Sequence, residues 1–330
     1  MDKRPRLIPE VAHARRYLLQ GLEQAGIGAS DRVILAISGG SDSLAVALAM
    51  SFIGPKHEIA ARVVVIDHGL QSNSQEVAQE AVDACRRLGM DDCKVVKIQV
   101  RKSPDGIEAA ARDARYEALE RERQEFGAKA IILGHTQDDQ AETVMLGLIR
   151  GSGLASISGM EVWDPERFLL RPFLSLTKSE LRDSLAVYSI PFWEDPHNQN
   201  LQFKRVAVRK ALEELEHKLG PGLSKALSQT AALARQAHDF LEQEAQELLI
   251  RAKVSETEYS VSIFGSAHEA LRNKAIHLLC QRFGARNLSM DQVALVANLV
   301  INWHGQKKAA LSGITVERVG DLLVLNRNAK

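Results

Sequence analysis

The chain has 330 residues with 42 basic and 42 acidic side chains, so its net charge is zero. That length favours two domains and a sizeable buried core, and the charge balance removes the cheapest argument for a nucleic-acid partner, a globally basic protein. Cys85, Cys93 and Cys280 form no Cys-x-x-Cys pair, which argues against a disulfide framework or a cysteine-based metal site and reads as reduced, structural thiols. The first twenty residues are charged throughout and no apolar run reaches membrane-spanning length, so neither a signal peptide nor a membrane span is expected, and the cytoplasm is the expected compartment.

In chain order, residues 33–37 form a short apolar run, followed by a Gly/Ser turn and a helical stretch from about Ser43. Residues 62–66 and 94–98 are further β-branched runs, and residues 130–133 a fourth. Between them, residues 74–88 and 107–126 read as helices ended by Gly89 and Gly127, and residues 138–150 as another helix. Strands apolar on both faces and separated by helices predict a parallel α/β sheet with helices on both faces. Ligands on such a sheet bind beyond the C-terminal strand ends. Three of those ends carry polar residues: 38–43, Asp67-His68-Gly69, and 134–139.

After Gly151 the pattern changes. Thr177-Lys178-Ser179-Glu180 is a capping box opening a helix that stops before Pro191. Residues 192–196 form a turn-rich loop, residues 204–219 a basic helix, and Gly220-Pro221-Gly222 the clearest break. A helix of about thirty residues follows. Strand candidates at 259–263 and 322–325 flank helices near 270–283 and 290–302, which predicts a smaller α+β domain. The expected division is 1–215 for a catalytic domain and 216–330 for the smaller one.

Ser38-Gly39-Gly40-Ser41-Asp42-Ser43 lies between a strand and a helix. Glycines let the backbone approach an anion, the helix start offers free N–H groups and a positive dipole end, and small hydroxyls add donors. No lysine is present, so this is not the phosphate loop of kinases and GTPases. The missing lysine suits a loop that holds a pyrophosphate leaving group. Asp42 inside a phosphate cradle calls for a bridging cation, for which Mg²⁺ is the natural choice. The plainer alternative is a capped glycine turn with no ligand.

Further residues gather at the same edge. Arg112 and Arg115 share a helix face, suited to phosphate or to a solvated surface. His135, Asp138, Asp139 and Glu142 cluster after the fourth strand, as caps or as a pocket for Mg²⁺ or an amino group. Arg167, Arg171, Lys178 and Arg182, with Lys204, Arg205, Arg209 and Lys210, are basic sets suited to RNA phosphates or to solvated helix faces.

The hexapeptide resembles the signature of the PP-loop ATP pyrophosphatases. With Asp67-His68-Gly69-Leu70, Arg112-x-x-Arg115-Tyr116, His135-x-x-Asp138-Asp139-Gln140-Ala141-Glu142-Thr143, Arg150-Gly151-Ser152-Gly153, Leu170-Arg171-Pro172 and Glu194-Asp195-Pro196-x-Asn198, the chain is similar over about residues 30–210 to the tRNA(Ile)-lysidine synthase family. It departs at Val206, where that pattern has asparagine, and resembles the short form of the family. The resemblance implies an adenine nucleotide α-hydrolase-like fold and an ATP-dependent ligase. It would adenylate the wobble cytidine of a tRNA(Ile) with a CAU anticodon, then let free L-lysine displace AMP. It implies that Ser38, Gly39, Gly40, Ser41, Asp42, Ser43, Asp67, His68 and His135 bind ATP, and that Asp42 with Asp138 or Asp139 holds Mg²⁺. Asp138, Asp139 and Glu142 would take the lysine ammonium, Arg112 or Arg115 would stabilise the activated base, and Arg171, Arg205 and Arg209 would bind tRNA. The division of labour among the carboxylates stays open, as does a homodimer. The alternatives are a PP-loop tRNA thiolation enzyme and a small-molecule amide synthetase.

Overall fold

The computed structural model describes residues 8–69, 73–99, 107–151, 153–194, 202 and 204–328. Leu70, Ser152, Asp195, Pro196, His197 and Asn198 therefore lie outside the described residues. The chain divides into two compact units, Met1–Ala232 and Leu233–Lys330.

The first unit opens with α1 (Pro9–Gln24), whose buried Val11, Ala14, Leu18 and Leu22 recur at helical spacing. Then come β1 (Arg32–Ile37), α2 (Ser41–Lys56), β2 (Ala60–Asp67), α3 (Ser74–Arg87), β3 (Cys93–Lys97), α4 (Ile107–Phe126), β4 (Ala130–Ile132) and α5 (Gln137–Ile149). The short α6 (Leu154–Ile157), β5 (Trp163–Asp164) and β6 (Leu169–Leu170) precede α7 (Lys178–Ala186) and α8 (Lys204–Leu219). α9 (Leu223–Ala252) begins directly after Gly222, and the division between units falls inside it.

Six strands form one sheet in the order β3-β2-β1-β4-β6-β5. All pairings are parallel except β5 with β6. Val33, Leu35 and Ile37 of β1 pack with Val63 and Val65 on one face, under α1, α2, α3 and α7. Ile34, Val64 and Ile131 face the other way, toward Leu119 of α4. Each such side chain contributes about 1.5–3 kcal/mol by burial. The double burial is why the strands are continuous apolar runs. Chain order reverses between β1 and β4, and there the crevice beyond the strand ends opens for a ligand.

The second unit contains β7 (Glu258–Ser260), α10 (Val261–Ser266), α11 (Glu269–Arg282), α12 (Met290–Ile301), β8 (Ala309–Leu311), β9 (Ile314–Val319) and β10 (Leu322–Arg327). Its sheet is antiparallel, in the order β7-β10-β9-β8. Leu249, Phe264, Ile276, Leu279, Ile314 and Leu323 are among its core residues. The strand expected over 259–263 stops at Ser260, and Val261 and Phe264 are instead buried one helical turn apart.

Candidate active site at the strand tips

The turn after β1 is held by its own side chains. The Ser38 N–H donates to Ser43 Oγ at 3.1 Å, and Ser43 Oγ donates to the Gly40 carbonyl at 2.9 Å. Gly39 has φ +83°, a left-handed conformation that a side chain would strain. Gly40 is the N-cap of α2, and no side chain caps that helix start. The first amides of α2 therefore stay available to an anion. The Trp193 N–H ties the loop from outside by donating to the Gly39 carbonyl at 2.9 Å.

Two other helix starts meet this turn. In α5, Thr136 and Asp139 form a capping box; Asp139 Oδ2 accepts from the Thr136 N–H at 2.9 Å. In α7, Thr177 and Glu180 form a second. Asp138 Oδ2 joins them by accepting from the Lys178 N–H at 2.9 Å. Gly134, between β4 and α5, makes the approach possible. A Cβ there would sit 2.5 Å from the Asp42 carbonyl oxygen.

These elements enclose a cavity of about 1110 Å³. Typical ligand pockets hold roughly 300–1,000 Å³, so there is room for a nucleotide and a second substrate. Ser38, Gly40, Ser41, Asp42, Ser43, Asp67, His68, Arg115, His135, Asp138, Asp139, Glu142 and Arg209 all line it, with Lys178, Arg182, Phe192 and Trp193. His68 Nδ1, Arg115 Nε and His135 Nδ1 are buried without a hydrogen-bond partner. Buried polar atoms are nearly always satisfied, and these three all belong to residues lining one cavity, where a ligand could satisfy them.

The electrostatics are uneven. Burial holds the Asp42 carboxyl above the usual carboxylate range; Lys178 opposes this and Asp139 adds to it. A carboxylate disfavoured by burial and a like charge fits a divalent cation. For Asp139, burial would raise the carboxyl, but Lys178, His135 and the Thr136 amide hold it below the usual range. Burial pushes the His135 imidazole down to about 3, against the pull of Asp139. His68 is likewise lowered by burial and then by Arg115. Both rings are therefore neutral at pH 7.

A PP-loop domain model matches residues 12–216. The tRNA(Ile)-lysidine synthase of Leifsonia xyli subsp. xyli is 41% identical over 299 residues, covering 89% of this chain and 89% of that protein. The tRNA(Ile)-lysidine synthase of Salinispora arenicola is 36% identical over 327 residues, covering 97% of this chain and 98% of that protein. This chain belongs to the tRNA(Ile)-lysidine synthase family. The chain also shares the fold of the U34-tRNA thiolase NcsA from Methanococcus maripaludis, with a TM-score of 0.56 at 18% identity over 68% of this chain and 79% of that one. The family's PP-loop domain is an ATP-using one, and the chain's uncapped helix start sits where that loop is expected.

Measured against the sequence expectations, the phosphate turn and the carboxylates of α5 meet at one edge. Asp67 folds back to accept from the Gly69 N–H at 3.0 Å. Arg112 is exposed beside Tyr116, whereas Arg115 reaches the cavity. Glu142 is 1% exposed and ion-paired to Arg209 at 2.6 Å and Arg205 at 3.4 Å, so these arginines turn toward α5 rather than outward. Arg171, expected at an RNA face, is buried; it donates to the Glu161 carbonyl at 3.0 Å and lies 3.6 Å from Asp164. Burial lowers its guanidinium despite Asp164, and at 6% exposure it has no RNA-facing surface. Val206, at the position where the family pattern has asparagine, is buried on α8.

Lys178, Arg182 and Trp193 line the cavity without having been expected there, and the close approach of α2 to Gly134 was not foreseen. Lys178 read as part of a basic surface. Its capping box was the available signal, because a helix start next to Asp138 also delivers the residue after the cap. No cysteine lines the cavity among the described residues, and burial pushes the Cys85 and Cys280 thiols up to about 12. Such thiols are poor nucleophiles at neutral pH.

Proposed function

We propose that this chain makes lysidine in a tRNA(Ile) with a CAU anticodon, consuming ATP and free L-lysine in the cytoplasm. The observation that carries this reading is the uncapped start of α2 facing a cavity lined by the carboxylates of α5. Relatives named tRNA(Ile)-lysidine synthase, aligned over most of the chain, support it.

In this reading the triphosphate lies on the turn of residues 38–43 and the α2 amides. Asp42, with Asp138 or Asp139, would hold Mg²⁺, which when bound supplies positive charge between carboxylate and phosphate. The cytidine leaves its stack to reach the cavity. Its O2 attacks the α-phosphorus, the bond from that phosphorus to the bridging oxygen breaks, and pyrophosphate leaves with the electron pair. The amino group of lysine then attacks C2, the C2–O bond breaks, AMP departs, and an amine proton passes to solvent. Arg115 stabilises charge at the activated base. Neutral His68 and His135 border that site without adding a cation.

Asp138 and Asp139 are the more open carboxylates for the lysine ammonium, because at Glu142 it competes with Arg209 and Arg205. Exposed Lys204 and Lys210 on α8, with Arg167 and the second unit, offer phosphate contacts, which would make tRNA affinity fall steeply with salt. The absence of a cysteine at the cavity favours an amine over sulfur as the second nucleophile.

The test is to incubate the chain with ATP, labelled lysine and CAU tRNA(Ile). Label is expected in the RNA, with equal amounts of AMP and pyrophosphate. RNA that stays unlabelled while ammonia supports pyrophosphate release would point to a small-molecule synthetase instead.

A further inference from the structure

The chain has three tryptophans, and two have evident places. Trp163 packs against the core of the first unit, and Trp303 lies under the Arg318 guanidinium at 5.5 Å. Trp193 differs. It is half-buried and lines the cavity at the strand tips. Among the described residues its ring joins no apolar cluster and pairs with no other ring or cation. The other benzenoid ring on that wall, Phe192, packs against the core and lies under Arg182 at 5.5 Å. A large indole left unpartnered on a cavity wall is contact surface for a ligand.

The backbone that carries the indole is pinned. The Trp193 N–H donates to the Gly39 carbonyl at 2.9 Å. Its chain neighbours, Phe192 and Glu194, are both engaged by Arg182, the second through an ion pair at 2.9 Å. A Cβ built on Gly39 would lie 3.9 Å from the Trp193 Cβ, and one built on Gly40 would lie 3.9 Å from the Trp193 carbonyl oxygen. Trp193 therefore stands against the phosphate turn itself.

In the adenylation reading above, on which this inference rests, two planar bases enter the cavity: the adenine of ATP and the extruded cytosine. Adenine is joined to the triphosphate through ribose, which keeps it a sugar's length from the turn. Cytosine must bring its O2 within bonding distance of a phosphorus held at the turn. The ring that comes to rest beside Gly39 and Gly40 is then the cytosine. We propose that Trp193 is the stacking platform for the extruded cytosine and orients O2 toward the α-phosphorus. The indole replaces the stacked neighbours that the base gives up on leaving the anticodon loop.

The experiment uses a CAU anticodon stem–loop, the same stem–loop abasic at the wobble position, and ATP. Binding of each to wild type, Trp193→Phe and Trp193→Ala is measured by titration calorimetry, with thermal unfolding of each protein. Trp193→Ala is expected to bind the CAU stem–loop about five- to a hundredfold more weakly, with ATP affinity, abasic stem–loop affinity and the unfolding midpoint unchanged. Trp193→Phe is expected to keep most of the affinity. In a chain carrying Trp163→Phe and Trp303→Phe, the CAU stem–loop is expected to quench the Trp193 fluorescence and the abasic one to leave it bright. Trp193→Ala that binds the CAU stem–loop as tightly as wild type overturns the proposal, and so does an equal loss for the abasic one. A loss confined to ATP assigns the indole to adenine and overturns it too. Wild type that binds the two stem–loops equally would overturn the lysidine reading itself, which is a different result.

Discussion

Helix starts at the cavity are built differently, as those of α2, α5 and α7 show. α5 and α7 open with complete capping boxes, in which a threonine and an acidic residue satisfy the first amides. α2 opens at Gly40 with no side-chain cap. Even Asp42, in its first turn, accepts from the Ser41 hydroxyl rather than from the helix amides. A polar N-cap stabilises a helix by about 1 kcal/mol over alanine, yet α2 does without one. The capped starts are scaffold. The uncapped start, steadied by Ser43 and by Trp193 from outside, is a receptor for an anion.

The strongest way to break that contrast is at Asp42. Asp42→Ala is expected to lower kcat by about a hundredfold or more, the size of losing one preorganised electrostatic group, while the α2 fold persists. Lysine incorporation into tRNA with a circular-dichroism melt checks this, and near-normal turnover would remove Asp42 from the chemistry. Next comes Gly134→Ala. With its Cβ forced against the Asp42 carbonyl, the chain is expected to lose about 1–3 kcal/mol of stability together with ATP affinity. Gly28→Ala, which meets nothing within 4 Å, serves as the urea-unfolding control.

Thr136→Ala and Thr177→Ala should each cost about 1 kcal/mol through loss of a cap, again by urea unfolding. Gly40→Asp sharpens the contrast from the opposite side. It supplies α2 with the missing cap, in a backbone conformation open to any residue and with ordinary space around the new Cβ. The free chain should gain a few tenths of a kcal/mol while ATP affinity falls. A variant that is capped yet binds ATP better would contradict the receptor role.

The smallest effect at neutral pH concerns His135. Its folded value of about 3 lies below the ordinary 6.5, so between them the unfolded chain takes up a proton that the folded chain refuses. The stability associated with the neutral ring is intact above pH 6.5 and is lost as pH falls toward 3. The wild-type melting temperature should drop more steeply over that window than that of His135→Gln; parallel curves would contradict the assignment.

Much of the site was legible because its chemistry is local. The runs that became β1, β2 and β4 are apolar on both faces, and a Gly/Ser turn between strand and helix carries its function in consecutive residues. What stayed hidden depends on distant backbone. Gly134 has no unusual φ; its need arises only because α2 passes against it. Lys178 sits in a readable capping box, but nothing local says that α7 folds along α2. Arg171 and Arg209 look like surface bases until Asp164 and Glu142 appear beside them. In the second unit, β8 and β9 were missed because a three-residue strand carries little period and Thr315, Glu317 and Arg318 dilute the apolar run in the other. α1 was overlooked despite the helical spacing of Val11, Ala14, Leu18 and Leu22.

Amide hydrogen exchange with and without ATP reads the uncapped helix start most directly. ATP should slow exchange at the amides of residues 40–44 and leave the capped first turns of α5 and α7 comparatively unchanged. Protection that appears elsewhere while residues 40–44 exchange as in the free chain would contradict the account.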